Sequence, residues 1–314
     1  MQIEYLKTFA AAADLKSFTR AAEVCSLSQP AVSQQIKELE SYFGHSLFDR
    51  SSRNLTLTAA GERLREHVAR ILAQLKAARE DLEEIKGEPS GTVAVGAGNT
   101  IGIYLLPQIL GDFRKAYPLV HLTIRVGATA DLLQALSWKE LDVALFEEEV
   151  PPGKLRDLEQ IPYADDEVVL IAPSGHPWSK RGRISVQDLL GTPLVMRQWE
   201  SPTRQLILRS LAEAGLDTSQ MDINLEVGNT EALKRMVLAG VGLAFVSRFA
   251  IAQELRFGTL NVIDIGGVTI RRKLWLVSPK SGQMPERLAR FSEFITKHPP
   301  KLSEATPAQP FTKP

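Results

Sequence analysis

Two rhythms of hydrophobic spacing run along the chain, and the change between them divides it. The first is helical. In SLSQPAVSQQIKELE, Ser26 to Glu40, the residues Val32, Ile36, Leu39 and then Phe43 recur three and four positions apart, which predicts a helix with one stripe facing a core. Its opposite side carries Pro30, Ser33, Gln34, Lys37 and Ser41, a polar face almost free of acid. Upstream, Ser17 is placed to cap a helix whose Phe18, Ala21, Ala22 and Cys25 point inward. Ser26-Leu27-Ser28 then form a tight turn. Ser28 caps the next helix, and Pro30 fits its first turn, where a missing N–H costs nothing. Leu55-Thr56-Leu57-Thr58 alternates after a Ser/Arg/Asn-rich turn, the pattern of a small β-wing.

The next segment stays helical but changes period. Leu64, Val68, Ile71, Leu75, Ala78, Leu82 and Ile85 follow a 4-3 alternation, slightly widened by Leu72, which is a heptad seam and predicts self-association. A single-domain core helix is the competing explanation, with the wider stripe of a 3.6-residue period. At GEPSGT, from Gly87, the helical rhythm stops. Beyond it, β-rich runs alternate with amphipathic helices to about residue 297, the mark of an α/β domain. The final HPPKLSEATPAQPFTKP is Pro-rich and is expected to be disordered.

Composition narrows the function without naming it. The 314 residues allow two or three domains. Lys plus Arg and Asp plus Glu both number 37, so a polyanion-binding surface would have to be local. One cysteine, Cys25, permits no intrachain disulfide and suits a reducing compartment. The five histidines show no metal-ligand spacing, so no metal and no cofactor is expected. The N-terminus lacks a secretory pattern and no apolar run reaches the ~20 residues that span a bilayer. A cytoplasmic protein without a membrane partner is the expectation.

Two short helices joined by a tight turn, the second with a polar face, make a helix-turn-helix, whose second helix enters the DNA major groove N-terminal end first. Gln29, Pro30, Ser33, Gln34 and Lys37 would face the bases, and Arg50, Ser52 and Arg53 in the wing would meet phosphates or the minor groove. Through Thr58 six basic residues balance six acidic ones, so a single module should bind weakly and a dimer should be needed.

Residues 1–60, with SFTRAAEVCSLSQPAVSQQIKELESYFGHSLFDR and LTAAGE, resemble the N-terminal domain of LysR-type transcriptional regulators. The resemblance implies a winged helix-turn-helix over 1–58, a linker and dimerisation helix over 59–88, and an α/β effector domain over 89–298. That domain would be periplasmic-binding-protein-like, with subdomain I at about 91–163 and 269–297, subdomain II at about 164–268, and a tail at 299–314. Crossing strands near Pro162–Asp166 and Gly266–Val268 would form the hinge. The implied partners are double-stranded DNA with an interrupted palindrome near a promoter, a small-molecule inducer, further copies of the chain as a homodimer or homotetramer, and RNA polymerase. Leu64, Val68, Ile71, Leu75, Leu82 and Ile85 would carry self-association.

GTVAVGAGNTIGIYLLPQIL reads as strand, Gly-rich turn and helix, but it misses the third glycine of a dinucleotide fingerprint and the acidic residue after the next strand. Thr100 can instead cap the helix, whose free N–H groups favour an anion. Resemblance places Thr100 in a cleft between the subdomains. It adds Thr129, Arg197, Ser201, Thr203 and Arg204, with Asn229, Thr230 and Phe245 on the far wall. Arg197 and Arg204 could pair with a carboxylate or phosphate, or lie in surface loops; Thr129 could equally cap a helix. The run Glu147-Glu148-Glu149 is expected to be a solvated loop. The effector region looks closer to regulators of cysteine biosynthesis and of carbon-fixation genes than to aromatic-degradation members, which points to a small anionic inducer. Gly102, where some sulfur regulators have a hydroxyl, argues against a sulfate-type site. No cysteine lies in that region, and Cys25 is expected to be packing. A DNA-binding regulator is therefore favoured over a solute-binding protein, which needs no helix-turn-helix, and over an enzyme, which needs a catalytic constellation.

Overall fold

The computed structural model describes residues 2–49, 55–84, 89–155, 157–280 and 284–300. The N-terminal unit contains α1 (Ile3–Leu15), α2 (Phe18–Cys25), α3 (Gln29–Phe43), a wing of β1 (Phe48–Asp49) and β2 (Thr56–Leu57), and α4 (Ala59–Glu84). Ser17 caps α2 by accepting the Arg20 N–H, and Ser28 caps α3 by accepting the Ala31 N–H. Ser26 takes a left-handed conformation (φ 56°), which closes the turn between the helices. Ala21 and Ala22 are buried and let α2 approach its neighbours closely. Phe48 of the wing packs edge-on against Phe9 (5.5 Å) and Phe18 (5.2 Å), while the Glu40 carboxylate accepts the Leu47 N–H at 2.9 Å. Gly61 permits α4 to start against the wing, since a Cβ there would stand 2.1 Å from the Leu47 carbonyl oxygen.

Three expectations need correction here. Phe43 is not in the core: it ends α3, Gly44 turns the chain away (φ 72°), and the ring is 38% exposed. Cys25 is half-buried, because it is the last residue of its helix. The heptad seam is also not one surface. Val68 is wholly buried in the core of its own domain, with Leu64 and Leu72 packed against that core. Ile71, Leu75 and Leu82 are exposed, by 47%, 43% and 67%. Ile85 lies outside the described residues, as do the tail from 301 and the wing tip.

The C-terminal unit is an α/β structure with one long curled sheet in the order β4 (Val120–Val126), β3 (Gly91–Ala97), β5 (Val143–Phe146), β12 (Ile270–Pro279), β6 (Leu158–Pro173), β11 (Leu260–Ile265), β7 (Arg183–Ile184), with β10 (Ala244–Ser247) also on β6. A separate parallel pair joins β8 (Leu194–Arg197) and β9 (Ile223–Val227). Parallel β3 and β5 carry continuous apolar runs because both faces are covered. One core gathers residues between Val93 and Tyr163 with Leu274 to Ile295, including Phe113 and Phe291 at 5.1 Å. Two adjoining clusters between Val168 and Ile270 form the second.

β6 and β12 are the only strands that serve both halves among the described residues. They pair antiparallel from Ile270↔Val168 to Pro279↔Leu158, with a bulge between Leu274 and Trp275. The hinge at Pro162–Asp166 therefore lies on β6, but the second crossing strand begins at Ile270. Gly266–Val268 is the turn before it, made by Gly267 in a left-handed conformation (φ 81°).

Candidate functional site

On α3 the buried stripe is Val32, Ile36 and Leu39, so the opposite face is left to solvent. Gln29, Pro30, Gln34 and Lys37 are exposed there and Ser33 is half-buried. Gln29 Nε2 donates to Ser33 Oγ (3.2 Å) and Gln34 Nε2 to Glu38 (3.1 Å), bonds that pre-order both amides on the surface. Hydroxyls and amides at a helix N-terminal end, with one ammonium behind them, can read base edges and meet phosphate. Arg50, Ser52 and Arg53 lie outside the described residues.

The second site is a cavity of about 370 Å³ between the two halves of the α/β unit. It is lined by Gly98 and Asn99 after β3, by residues 127–130 at the start of α6 (Thr129–Ser137), by Glu147, Glu148 and Lys154, and by Arg197, Gln198, Glu200, Ser201 and Pro202. Of the expected effector residues it brings together Thr129, Arg197 and Ser201. Arg197 closes β8, half-buried, and its Nε has no hydrogen-bond partner among the described residues. Burial pulls its pKa down, Glu147 opposes that shift and Arg272 adds to it.

Thr100 and Thr203 sit deeper, where both hydroxyls turn to one guanidinium. Arg272 Nη1 donates to Thr203 Oγ1 at 2.7 Å and Nη2 to Thr100 Oγ1 at 3.5 Å. Arg272 Nε donates to Asp166 at 2.8 Å, and the other Asp166 oxygen accepts from Ser247 at 2.7 Å. All five residues are buried. Burial pushes the Asp166 carboxyl upward, while Arg272 and Ser247 act against it. Contrary to expectation, the Thr100 side chain caps no helix, because its hydroxyl turns to Arg272; the residue precedes a π-helical turn, Ile101–Leu105, that continues into α5 (Leu106–Ala116). Further along this turn, Tyr104 donates to Glu231 at 3.0 Å, and burial, with that hydrogen bond, raises its pKa.

The remaining expected residues are engaged elsewhere. Arg204 is buried at the start of α8 (Pro202–Glu213), donating to the Arg197 carbonyl (2.9 Å) and pairing with Glu226, so its Nη1 is committed within the protein. Asn229 caps α9 (Thr230–Leu238) by accepting the Ala232 N–H. Thr230 is buried, and Phe245 is buried in a core cluster rather than on the cavity wall. Glu147 corrects the opposite error. Its carboxylate accepts the Thr100 N–H inside the cleft instead of lying in a solvated loop.

Asp166 and Arg272 escaped the motif search, yet the sequence carried a signal. On β12 Arg272 is in phase with Ile270 and Leu274, and on β6 Asp166 is in phase with Val168 and Leu170, all inward positions. A charge on the apolar phase of a strand requires a partner. Gly102 has a steric cause: a Cβ there would stand 2.6 Å from Val126 Cγ2.

Residues 3–62 match the model of the bacterial regulatory helix-turn-helix protein, lysR family, and residues 86–300 that of the LysR substrate binding domain. A protein of Trichormus variabilis named "Probable RuBisCO transcriptional regulator" is 36% identical over 293 residues, covering 93% of this chain and 87% of its own. One of the same name from Porphyra purpurea is 35% identical over 294 residues, covering 93% and 92%. Among solved structures, CbnR, a LysR family transcriptional regulator, superposes with a TM-score of 0.72 at 21% identity, covering 96% of this chain and 100% of that one. Full-length OxyR from Pseudomonas aeruginosa gives 0.69 at 24% identity, covering 94% and 98%. These two likenesses bear on the fold. No helix among the described residues is long and apolar enough to cross a membrane.

Proposed function

The chain belongs to the LysR family of transcriptional regulators, and we propose that it controls RuBisCO gene transcription in the cytoplasm in answer to a small anionic inducer held in the cleft. It is a DNA-binding regulator with an effector domain, not an enzyme. Supporting this choice of target genes, relatives aligned over 93% of the chain bear the name "Probable RuBisCO transcriptional regulator". The inducer class rests on one observation: Arg197, half-buried in the cavity wall, has a guanidinium Nε without a partner among the described residues. The Nε itself is buried, so an anion in the cavity would pair with the charge and the remaining N–H groups of the guanidinium.

Thr129 and Ser201 would supply hydroxyls on either side of that anion, and Lys154 a second cation. A ligand held by both halves binds one arrangement of them better than others and shifts the population toward it. Copies of the chain associated through the exposed part of α4 would carry that shift to paired α3 helices on DNA.

Fluorescence-anisotropy titration tests the reading directly. Full-length protein should bind DNA from upstream of a RuBisCO operon tightly and in the presence of excess competitor, and a small anion should change that affinity. The change should vanish in Arg197→Gln. Binding that competitor removes entirely would refute the target assignment, and an unaltered anion response in Arg197→Gln would refute the inducer site.

A further inference from the structure

We propose that Glu147 is a tethered stand-in for the inducer's anionic group, occupying the place that group would take and thereby setting the affinity and selectivity of the cleft. This rests on the cavity being the effector site.

Three observations meet at this carboxylate. First, it accepts the backbone N–H of Thr100, at the start of a helical segment that runs unbroken from the π-turn through Ala116. A carboxylate there satisfies a donor that the helix itself cannot pair. Second, the carboxylate lies directly against a glycine. A Cβ on Gly98 would stand 2.9 Å from the Glu147 carboxyl carbon and 3.0 and 3.1 Å from its oxygens, so the glycine leaves the space that the group fills. Third, Glu147 shares the cavity wall with Arg197 and acts electrostatically on that guanidinium and on buried Asp166.

The consequence is competition. An incoming oxyanion that uses both Arg197 and the Thr100 N–H has to push Glu147 aside, or else it binds Arg197 next to an unrelieved negative charge. Either course weakens small, singly anchored anions such as inorganic phosphate. It favours a larger anionic metabolite whose remaining atoms reach the hydroxyls of Thr129 and Ser201. Glu147 is thus a specificity-determining residue that raises the threshold for induction. It also explains a cavity that offers two cations, Arg197 and Lys154, beside three carboxylates, Glu147, Glu148 and Glu200.

The test is calorimetric titration of full-length protein with inorganic phosphate. Glu147→Gln keeps the shape and can still accept the Thr100 N–H, so the fold is retained. Glu147→Ala clears the seat and is the second variant. We expect phosphate to bind at least tenfold more tightly to both variants than to the wild type, and to lose that gain when Arg197→Gln is added. Unchanged or weaker binding in both Glu147 variants, with Arg197→Gln still altering the DNA response, would overturn the stand-in role and leave the effector cleft intact. Tighter binding that survives Arg197→Gln would also overturn it, since the gain would then arise elsewhere. If Arg197→Gln leaves the DNA response unaltered as well, the cleft reading itself falls.

Discussion

Asp166 and Arg272, 106 positions apart in sequence, form a buried ion pair of 2.8 Å on the two strands that cross between the halves of the effector domain. The pair is more than a strut. Arg272 also holds Thr203 and Thr100, one from each side of the cleft, so a single guanidinium registers the position of both. A buried charge that loses its partner is costly, whereas a matched pair replaced by apolar groups can be nearly neutral.

Asp166→Ala is therefore expected to destabilise the protein by roughly 3–5 kcal/mol, the usual cost of orphaning one buried ion. Adding Arg272→Leu should restore part of the loss. Urea unfolding of the four proteins in the cycle measures the coupling, and single and double losses that simply add would show that the two charges do not interact.

Gln34 stands on the solvent face of α3, with its amide ordered by Glu38. Gln34→Ala is expected to weaken specific DNA binding by about 1–3 kcal/mol and to leave non-specific binding nearly unchanged. Anisotropy on operator and scrambled duplexes distinguishes them; equal losses on both would remove Gln34 from base reading.

Within α4, Val68 and Leu75 belong to different surfaces despite sharing one heptad pattern. Val68→Ala should lower thermal stability through lost burial, by about 1–2 kcal/mol, without altering mass in solution. Leu75→Glu should leave the fold intact and reduce the assembled mass, because it would place a charge on the exposed stripe proposed as the contact between copies. Light scattering and melting curves report the two effects separately, and an unaltered mass for Leu75→Glu would exclude this stripe as the contact.

A Cβ on Gly102 would stand 2.6 Å from Val126 Cγ2, so the Val126 side chain would have to move to admit one. Gly102→Ser is expected to cost about 1–3 kcal/mol by overpacking, rather than to create a hydroxyl ligand. A variant as stable as the wild type in chemical unfolding would mean that β4 yields, and the steric account of this glycine would fail.

By itself the sequence determined the order of the parts and which helix carries the exposed polar face. Caps at Ser17 and Ser28, the small Ala21 and Ala22, and the apolar stripe of α3 are local signals, each set by residues within a turn or two of one another. It also supplied Thr129, Arg197 and Ser201, which the fold brings to one cavity. Tertiary structure decided the rest. The same heptad spacing serves the domain core at Val68 and solvent at Leu75, because what lies beside a helix is fixed by the chain's path and not by its period. Arg204 and Arg197 look alike in a loop, yet Glu226 on β9 takes one and leaves the other facing the cavity. Glu147 reads as one of three exposed acids until β5 ends beside the Thr100 turn. Periodicity is written along the chain. The partner of a buried charge is chosen by which distant strands cross, and that is settled only when the fold closes.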